Sequence, residues 1–471
     1  AMGVEIFETL RFSEKYNLVF FVDEDKNLIN RSINNILIIS LRNFLNSLNK
    51  IDQLWVTNAS LRNSNLSNHL SEIAENSIQI IKIPKLLDLI SNTKKLNDLK
   101  PIEIEDLLSR AVVDPDPNLL KKGIENFNIL ITGAGGSIGS EICNQVIKLN
   151  PSKIILFERS EFNLYKIYSE LISSKIYNVE IIQILGCCND KLLLKNTIIE
   201  NNINIIFHTA AYKHISIVED NPLQGIYNNI FSTYNICKNA LELELEKVVL
   251  ISTDKAVRPS NIMGASKRVA ELILLYFNNE SIRLKDKKIK NFKTNFSIVR
   301  FGNVLGSSGS VVPLFKKQIL SGGPITVTDT NVVRYFMTIS EASQLVIQAS
   351  AMAKGGEVFL LDMGNPVKIY KLAEQMILLS GLTIKNLKNP LGDIEIIFTG
   401  LKKGEKLYEE LLVEKGSIKT DHPLIYKANE NLRLDENFIN LLFSIKNSIK
   451  EQNKIKTLNY LKRIVPEWQS S

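Results

Sequence analysis

Phe127-Asn128-Ile129-Leu130-Ile131-Thr132-Gly133-Ala134-Gly135-Gly136-Ser137-Ile138-Gly139 is an apolar run that breaks abruptly into glycines. A β-branched run of this length predicts a strand buried on both faces. The next residues, Ser140–Lys148, carry a helical pattern. Gly133, Gly136 and Gly139 are therefore spaced GxxGxxG between a strand and a helix. Glycine suits this place sterically: the turn is tight, the backbone must approach a pyrophosphate, and the helix must lie close to the sheet. Backbone N–H groups at the helix start, including those of Ser137 and Ile138, then face the phosphate charge. The stretch predicts a dinucleotide site at the first βα turn of a Rossmann-type sheet.

Downstream, Lys153–Phe157, Glu180–Leu185, Ile203–His208 and Lys247–Ser252 read as further strands separated by polar helical stretches. This alternation predicts a doubly wound parallel α/β sheet. Glu158 ends the second strand, about 20 residues beyond the last glycine, where a carboxylate binds the adenosine ribose and repels a 2′-phosphate. That favours NAD. Arg159 beside it keeps NADP open, because a guanidinium there could pair with that phosphate. Ala210 and Ala211 are small enough to let the chain pass close to the cofactor, and Asp190 is a further expected cofactor contact.

From about residue 306, Gly and Pro clusters suggest loops of a small substrate-capping region. Upstream, Tyr16–Val22, Asn35–Ile39, Gln53–Thr57 and Ile78–Ile83 read as strands of a small N-terminal α/β domain with no glycine fingerprint. The expected division is 1–103 for that domain, 104–126 for a Pro-containing linker, 127–413 for the catalytic domain and 414–471 for a polar helical extension.

The 471 residues, 45% hydrophobic and 23% charged, are ordinary for a globular protein. A net charge of +7 is spread along the chain, which argues against a nucleic-acid binder and suits an anionic small molecule. Cys143, Cys187, Cys188 and Cys237 lack zinc-site spacing, so no metal is expected, and a reducing cytosol fits. No run of about 18 apolar residues is present. Ala1-Met2-Gly3 reads as a cloning remnant, so further natural residues are expected upstream.

The strand ending at Ser252 runs into Thr253-Asp254-Lys255, and Met263-Gly264-Ala265-Ser266-Lys267 opens the helix that follows. Ligands of doubly wound sheets bind beyond the carboxyl ends of the strands, so both segments face the cofactor. The blocks ITGAGGSIGSE, HTAAYKH, STDKAVRPSNIMGASK, RFGNVLGSSGSVVPLF, VVRYFMTISEA and GEKLYEEL, in this order, resemble the nucleotide-sugar 4,6-dehydratases of the extended short-chain dehydrogenase superfamily. More narrowly, they are similar to the long, membrane-anchored, retaining UDP-N-acetylglucosamine 4,6-dehydratases of bacterial polysaccharide and glycan synthesis. The superfamily pattern YxxxK has Met263 in the Tyr position here and keeps Lys267. A thioether carries no proton, so the usual Tyr mechanism is not available. Met in that place is similar to the long, retaining branch.

The resemblance implies NAD and a UDP-N-acetylhexosamine substrate, Asp254 as acid at C6, Lys255 as base at C5 and Thr253 on the C4 oxygen. A lysine with a pKa of about 10.4 is a poor base near neutrality. Burial and cationic neighbours such as Lys267 are therefore expected to depress Lys255. Lys213, His214, Asn303, Arg334, Lys402 and Glu405 are the expected substrate contacts, with Lys402-Lys403 where the family usually has Arg-Pro. His208 is expected to bond internally. The resemblance also implies a homo-oligomer, a dimer first, at the cytoplasmic face of the bacterial inner membrane, held there through a segment outside this sequence. An inverting dehydratase, a C4-epimerase and a non-catalytic nucleotide sensor are the alternatives.

Overall fold

The structure is a computed structural model that describes residues 16–48, 51–57, 78–83, 113–173, 179–289, 294–307, 309–409, 416–430 and 436–469, with a few isolated positions between them. Of the expected linker, 104–112 fall outside these residues, while 113–126 include a short helix, Pro117–Lys122. The chain divides into two compact units, one of 1–111, 314–327 and 369–399, the other of 112–313, 328–368 and 400–471. Two stretches read from sequence as catalytic domain thus group with the N-terminal residues.

In the first unit, Phe21–Val22 and Ile36–Ile39 pair in parallel, with Ser32–Ile33 antiparallel on the other side of Ile36–Ile39. Gln53–Val56 and Gln79–Lys82 form a second parallel pair. A small core of Ile39, Phe44, Leu48, Val56, Ile73, Ile78 and Ile80 lies among these elements.

The second unit is built on one nine-stranded sheet. Its strands are β1 (Asn128–Thr132), β2 (Lys153–Glu158), β3 (Glu180–Leu185), β4 (Ile205–His208), β5 (Lys247–Thr253), β6 (Asn295–Phe301), β7 (Val358–Leu361), β8 (Ile418–Lys419) and β9 (Ile425–Lys427). Their spatial order is β8-β9-β7-β6-β5-β4-β1-β2-β3. Neighbours from β3 through β7 are parallel, and the chain reverses direction at β9. The order switches between β1 and β4, which opens the crevice where doubly wound sheets bind ligands. All of β4 and four of the five residues of β1 are buried, as strands covered on both faces must be.

Helices α1 (Ser137–Val146), α2 (Glu161–Ser173), α3 (Lys191–Glu200), α4 (Pro222–Glu242) and α5 (Ile262–Asp286) connect the strands. The Asn261 side chain caps α5 by accepting from Gly264 N at 2.8 Å. A Cβ on Gly264 would lie 2.2 Å from the carbonyl oxygen of Lys255, so glycine alone lets the first turn of α5 press against the end of β5. A second, smaller sheet of Asn303–Val304, Val333–Met337 and Pro366–Lys368 stands beyond β6. The expected C-terminal helical stretch is a correction in part. It begins with strands β8 and β9, which extend the main sheet, before helices α6 (Glu436–Lys450) and α7 (Lys454–Ile464).

Beneath β5, Glu271 is fully buried and receives Arg300 on both carboxylate oxygens, each at 2.7 Å. Arg268 reaches Glu271 at 2.9 Å and Glu430 at 2.8 Å, while Arg300 also reaches Glu430. Two guanidiniums and the carboxylates of Glu271 and Glu430 balance each other there, with the exposed Glu467 also reaching Arg268 at 3.3 Å, and that pairing is what allows charge to be buried.

Candidate active site

A cleft of about 770 Å³ runs along the carboxyl ends of the parallel strands. One end is lined by Glu158, Arg159, Cys187 and Cys188, the other by Thr253, Met263, Lys267 and Asn303. Gly133, Gly136, Ser137, Ile138, Gly139, Ala210 and Ala211 line it between, as read from the sequence. The volume suits a dinucleotide.

The glycine turn fits a pyrophosphate. Gly136, the N-cap of α1, offers the helix no side-chain hydrogen bond, which leaves that end to a ligand's charge. A Cβ on Gly139 would lie 2.1 Å from the carbonyl oxygen of Gly133, so the helix and turn close together only around glycine. Glu158 accepts from Arg159 N and Ser160 N on Oε1, at 2.9 and 3.0 Å, and from Gly135 N on Oε2 at 3.1 Å. A carboxylate has about four acceptor positions, so it stays able to accept from a ribose. Arg159 donates to the Tyr212 hydroxyl and stacks over that ring, 5.1 Å from its centroid. Tyr212 was not singled out in the sequence. Asp190 is not among the cleft's lining residues; it caps α3 through Leu192 N and Leu193 N, at 3.1 and 3.0 Å.

At the other end of the cleft, Thr253 Oγ1 donates to Asp254 Oδ1 at 2.7 Å and Lys255 Nζ donates to the same oxygen at 3.0 Å. Asp254 is 1% exposed, and its Oδ2 is buried with no hydrogen-bond partner among the described residues. A Cβ on Gly302 would stand 3.1 Å from that oxygen, so glycine keeps the space beside it open. Met263 is buried and lines the cleft, where it can pack but cannot exchange a proton. Lys267 donates to the Ile251 carbonyl at 2.6 Å, and burial lowers its pKa to about 8 against the opposing pull of Glu271.

Lys255 departs from expectation. Burial, the largest single influence, acts to lower its pKa, but the carboxylates of Asp254 and Glu409 outweigh it and hold the amine above the usual lysine range. Lys267, expected to repel it, is not the neighbour that decides. Glu409 Oε1 lies 3.2 Å from Lys255 Nζ. Glu409 sits inside the GEKLYEEL block, yet nothing in the sequence alone ranks it above Glu405.

A second cavity of about 260 Å³ shares Lys213, His214 and Lys255 with the cleft and is further lined by Arg334, Lys402, Lys403, Glu405 and Lys406. Five of the six expected substrate contacts meet here. Arg334 is ion-paired to Glu405 at 3.1 Å and to Glu409 at 3.4 Å, so its fork already has anionic partners. Burial lowers Lys213, and burial together with Lys213 lowers His214. The sixth contact, Asn303, lines the main cleft, and its amide oxygen accepts from Lys255 Nζ at 3.2 Å. His208, flanked by Thr132 and Thr233 at 2.8 and 3.1 Å, is buried, and burial pushes its pKa down to about 3. Among the described residues, no His, Cys, Asp and Glu group could hold a metal ion.

The sheet order, the glycine turn and the cleft define a Rossmann-type nucleotide-binding protein of the extended short-chain dehydrogenase class. Residues 129–430 match the family described as polysaccharide biosynthesis protein, and the chain belongs to it. It is 48% identical to the capsular polysaccharide biosynthesis protein CapD of Staphylococcus aureus, over 71% of this chain and 53% of that protein. The chain thus spans about half the length of that relative. It is 31% identical to an inverting UDP-N-acetylglucosamine 4,6-dehydratase of Campylobacter jejuni, over 60% of this chain and 77% of the relative. Among solved structures, Pen from Bacillus thuringiensis matches with 34% identity and a TM-score of 0.56, covering 64% of this chain and 89% of that one. Among the described residues, no helix is long and apolar enough to cross a membrane.

Proposed function

We propose that this chain carries a retaining UDP-N-acetylglucosamine 4,6-dehydratase activity, yielding a 4-keto-6-deoxy sugar nucleotide. One observation carries the reading: in the hydrogen-bonded trio Thr253, Asp254 and Lys255, Thr253 lines the dinucleotide cleft, Lys255 lines both that cleft and a cavity lined by lysines, and Asp254 is buried against them. The Campylobacter relative, named for this substrate and for the inverting form of the dehydration, supports the substrate class. Retention rests on Met263 in the Tyr position. Homo-oligomerisation and a place at the cytoplasmic face of a membrane rest on the family resemblance alone.

Glu158 and the commitment of Arg159 to Tyr212 favour NAD over NADP. When bound, NAD supplies removal of a hydride from C4 and its return at C6, a redox-neutral cycle. The chain's residues handle the protons. Thr253 orients the C4 hydroxyl, and Asp254 takes its proton on the unpartnered Oδ2. That transfer neutralises one of the two carboxylates holding Lys255 as an ammonium, so the amine releases its own proton to solvent and becomes a competent base. Lys255 removes the proton at C5, the C6–O bond breaks, and Asp254 returns its proton to the departing oxygen, which leaves as water. Lys255 then gives a proton back at C5. Lys213, Lys402, Lys403 and Lys406 neutralise the diphosphate from the adjoining cavity.

Incubation with UDP-N-acetylglucosamine in D₂O, followed by NMR of the sugar, tests this. The expected product is a 4-keto-6-deoxy sugar with deuterium at C5 and the starting configuration. Inverted configuration replaces the reading by the inverting dehydratase, UDP-N-acetylgalactosamine replaces it by the C4-epimerase, and unchanged substrate removes it.

A further inference from the structure

Glu409 Oε1 lies between two cations, 3.2 Å from Lys255 Nζ and 3.4 Å from Arg334 Nε, and its side chain is only 5% exposed. Its place is built rather than incidental. Tyr408 bridges in parallel to Val333, the residue before Arg334. Arg334 donates to the carbonyls of Val333 and Leu407, at 2.8 and 3.1 Å. The arginine is thereby locked to both segments, and Glu409 cannot retreat from Lys255 without breaking that lock.

We propose that Glu409 is a positioning residue that sets the proton state of Lys255. Its functional meaning rests on the reading of Lys255 as the C5 base. Among the described residues, Asp254 and Glu409 are the two carboxylates in direct contact with the amine. Asp254 is the one that takes a proton during the reaction, so its hold on Lys255 is released in each turnover. Glu409 has no such part: it stays between Lys255 and Arg334 throughout. Arg334 tempers that charge from the far side, as does the field of Lys213, Lys402, Lys403 and Lys406 around the cavity, which the imidazole of His214 also lines, while Lys267 lines the adjoining cleft. Glu405 is taken up by Arg334 and by the Thr328 hydroxyl at 3.1 Å. Glu409 therefore decides how far Lys255 stays protonated once Asp254 is neutral, which favours holding the amine inactive until the C4 proton has moved.

An opposite charge at this distance shifts a pKa by about 1–3 units. Competitive acetylation of Lys255 with acetic anhydride across a pH series, read by peptide mass spectrometry, gives its titration without substrate or turnover. Glu409→Gln is expected to move that titration toward lower pH by about 1 unit or more. It should also move the ascending limb of the kcat/KM pH profile the same way. An identical titration in the variant and the native chain overturns the proposal, even if the variant is inactive, since loss of activity alone marks a structural role. If Gln at 409 prevents folding, Glu409→Asp carries the test. Drawing the carboxylate back by one methylene should shift the titration in the same direction by less, and an unshifted titration overturns the proposal equally. Absence of any dehydrated product from the native chain would sink the catalytic reading and leave the labelling result standing.

Discussion

The Ser252 hydroxyl donates to Oε1 of Glu271 at 2.6 Å, one residue before the Thr253-Asp254-Lys255 trio. The end of the catalytic strand is thus fastened to a buried carboxylate that Arg300 grips on both oxygens. Burial alone would raise the Glu271 pKa, but Arg300 and Arg268 reverse this and bring it to about 2. The folded value lies below the unfolded one. The contribution to stability is therefore complete above about pH 4.5 and lost as pH falls toward 2. Glu271→Gln should cost about 3–5 kcal/mol, the usual result of removing one partner from a buried pair. It should also flatten the pH dependence in that window. Urea unfolding at several pH values between 3 and 7 measures both.

Lys255→Ala should fold and bind dinucleotide as the native chain does, while dehydration falls by at least about 10²-fold. Calorimetric titration with NAD and product NMR separate the two effects. Full activity in this variant would remove Lys255 from the chemistry.

Met263→Leu should keep dehydration within a few-fold. The swap conserves volume in a tightly packed place, costs less than about 1.5 kcal/mol and takes away only a thioether that no proton step needs. A loss of kcat comparable to that of Lys255→Ala would show that sulfur takes part.

The two helix-start glycines should differ. A Cβ at 139 meets Gly133 O at 2.1 Å, whereas one at 136 meets it at 3.2 Å. Gly139→Ala should therefore abolish measurable dinucleotide binding, and Gly136→Ala should weaken it only modestly. Equal affinities for the two variants would refute this account of the turn.

The parallel core was legible because its central strands are buried on both faces and read as apolar runs, and Lys153–Phe157 falls within one residue of the observed β2. Glu180–Leu185 coincides with β3, an edge strand with no buried residue, on its isoleucine-rich pattern alone. β8 and β9 were not legible. They are two and three residues long, contain Lys419 and Lys427, and become strands only because the edge of β7 is there for β9 to pair with, and β9 for β8. The same holds for 314–327 and 369–399, whose grouping with the N-terminal unit depends on residues far away in the chain. At the site, the residue types were readable and their charge states were not. Asp190 stands just before Lys191-Leu192-Leu193-Leu194, an ordinary helix-capping position, and the structure uses it so. The raised pKa of Lys255 depends on a carboxylate supplied by Glu409, and local sequence cannot announce a neighbour that distant.

The order in which the chain leaves the ribosome gives the buried charge cluster a further consequence. Arg268, Glu271 and Arg300 all emerge before Glu430 and Glu467, which meet Arg268 at 2.8 and 3.3 Å. A nascent polypeptide that has completed β6 holds two guanidiniums against one carboxylate under its catalytic strand. The support for Ser252 thus reaches electrical balance only once Glu430, 130 residues after Arg300, has emerged, and the active centre matures after the sheet that carries it.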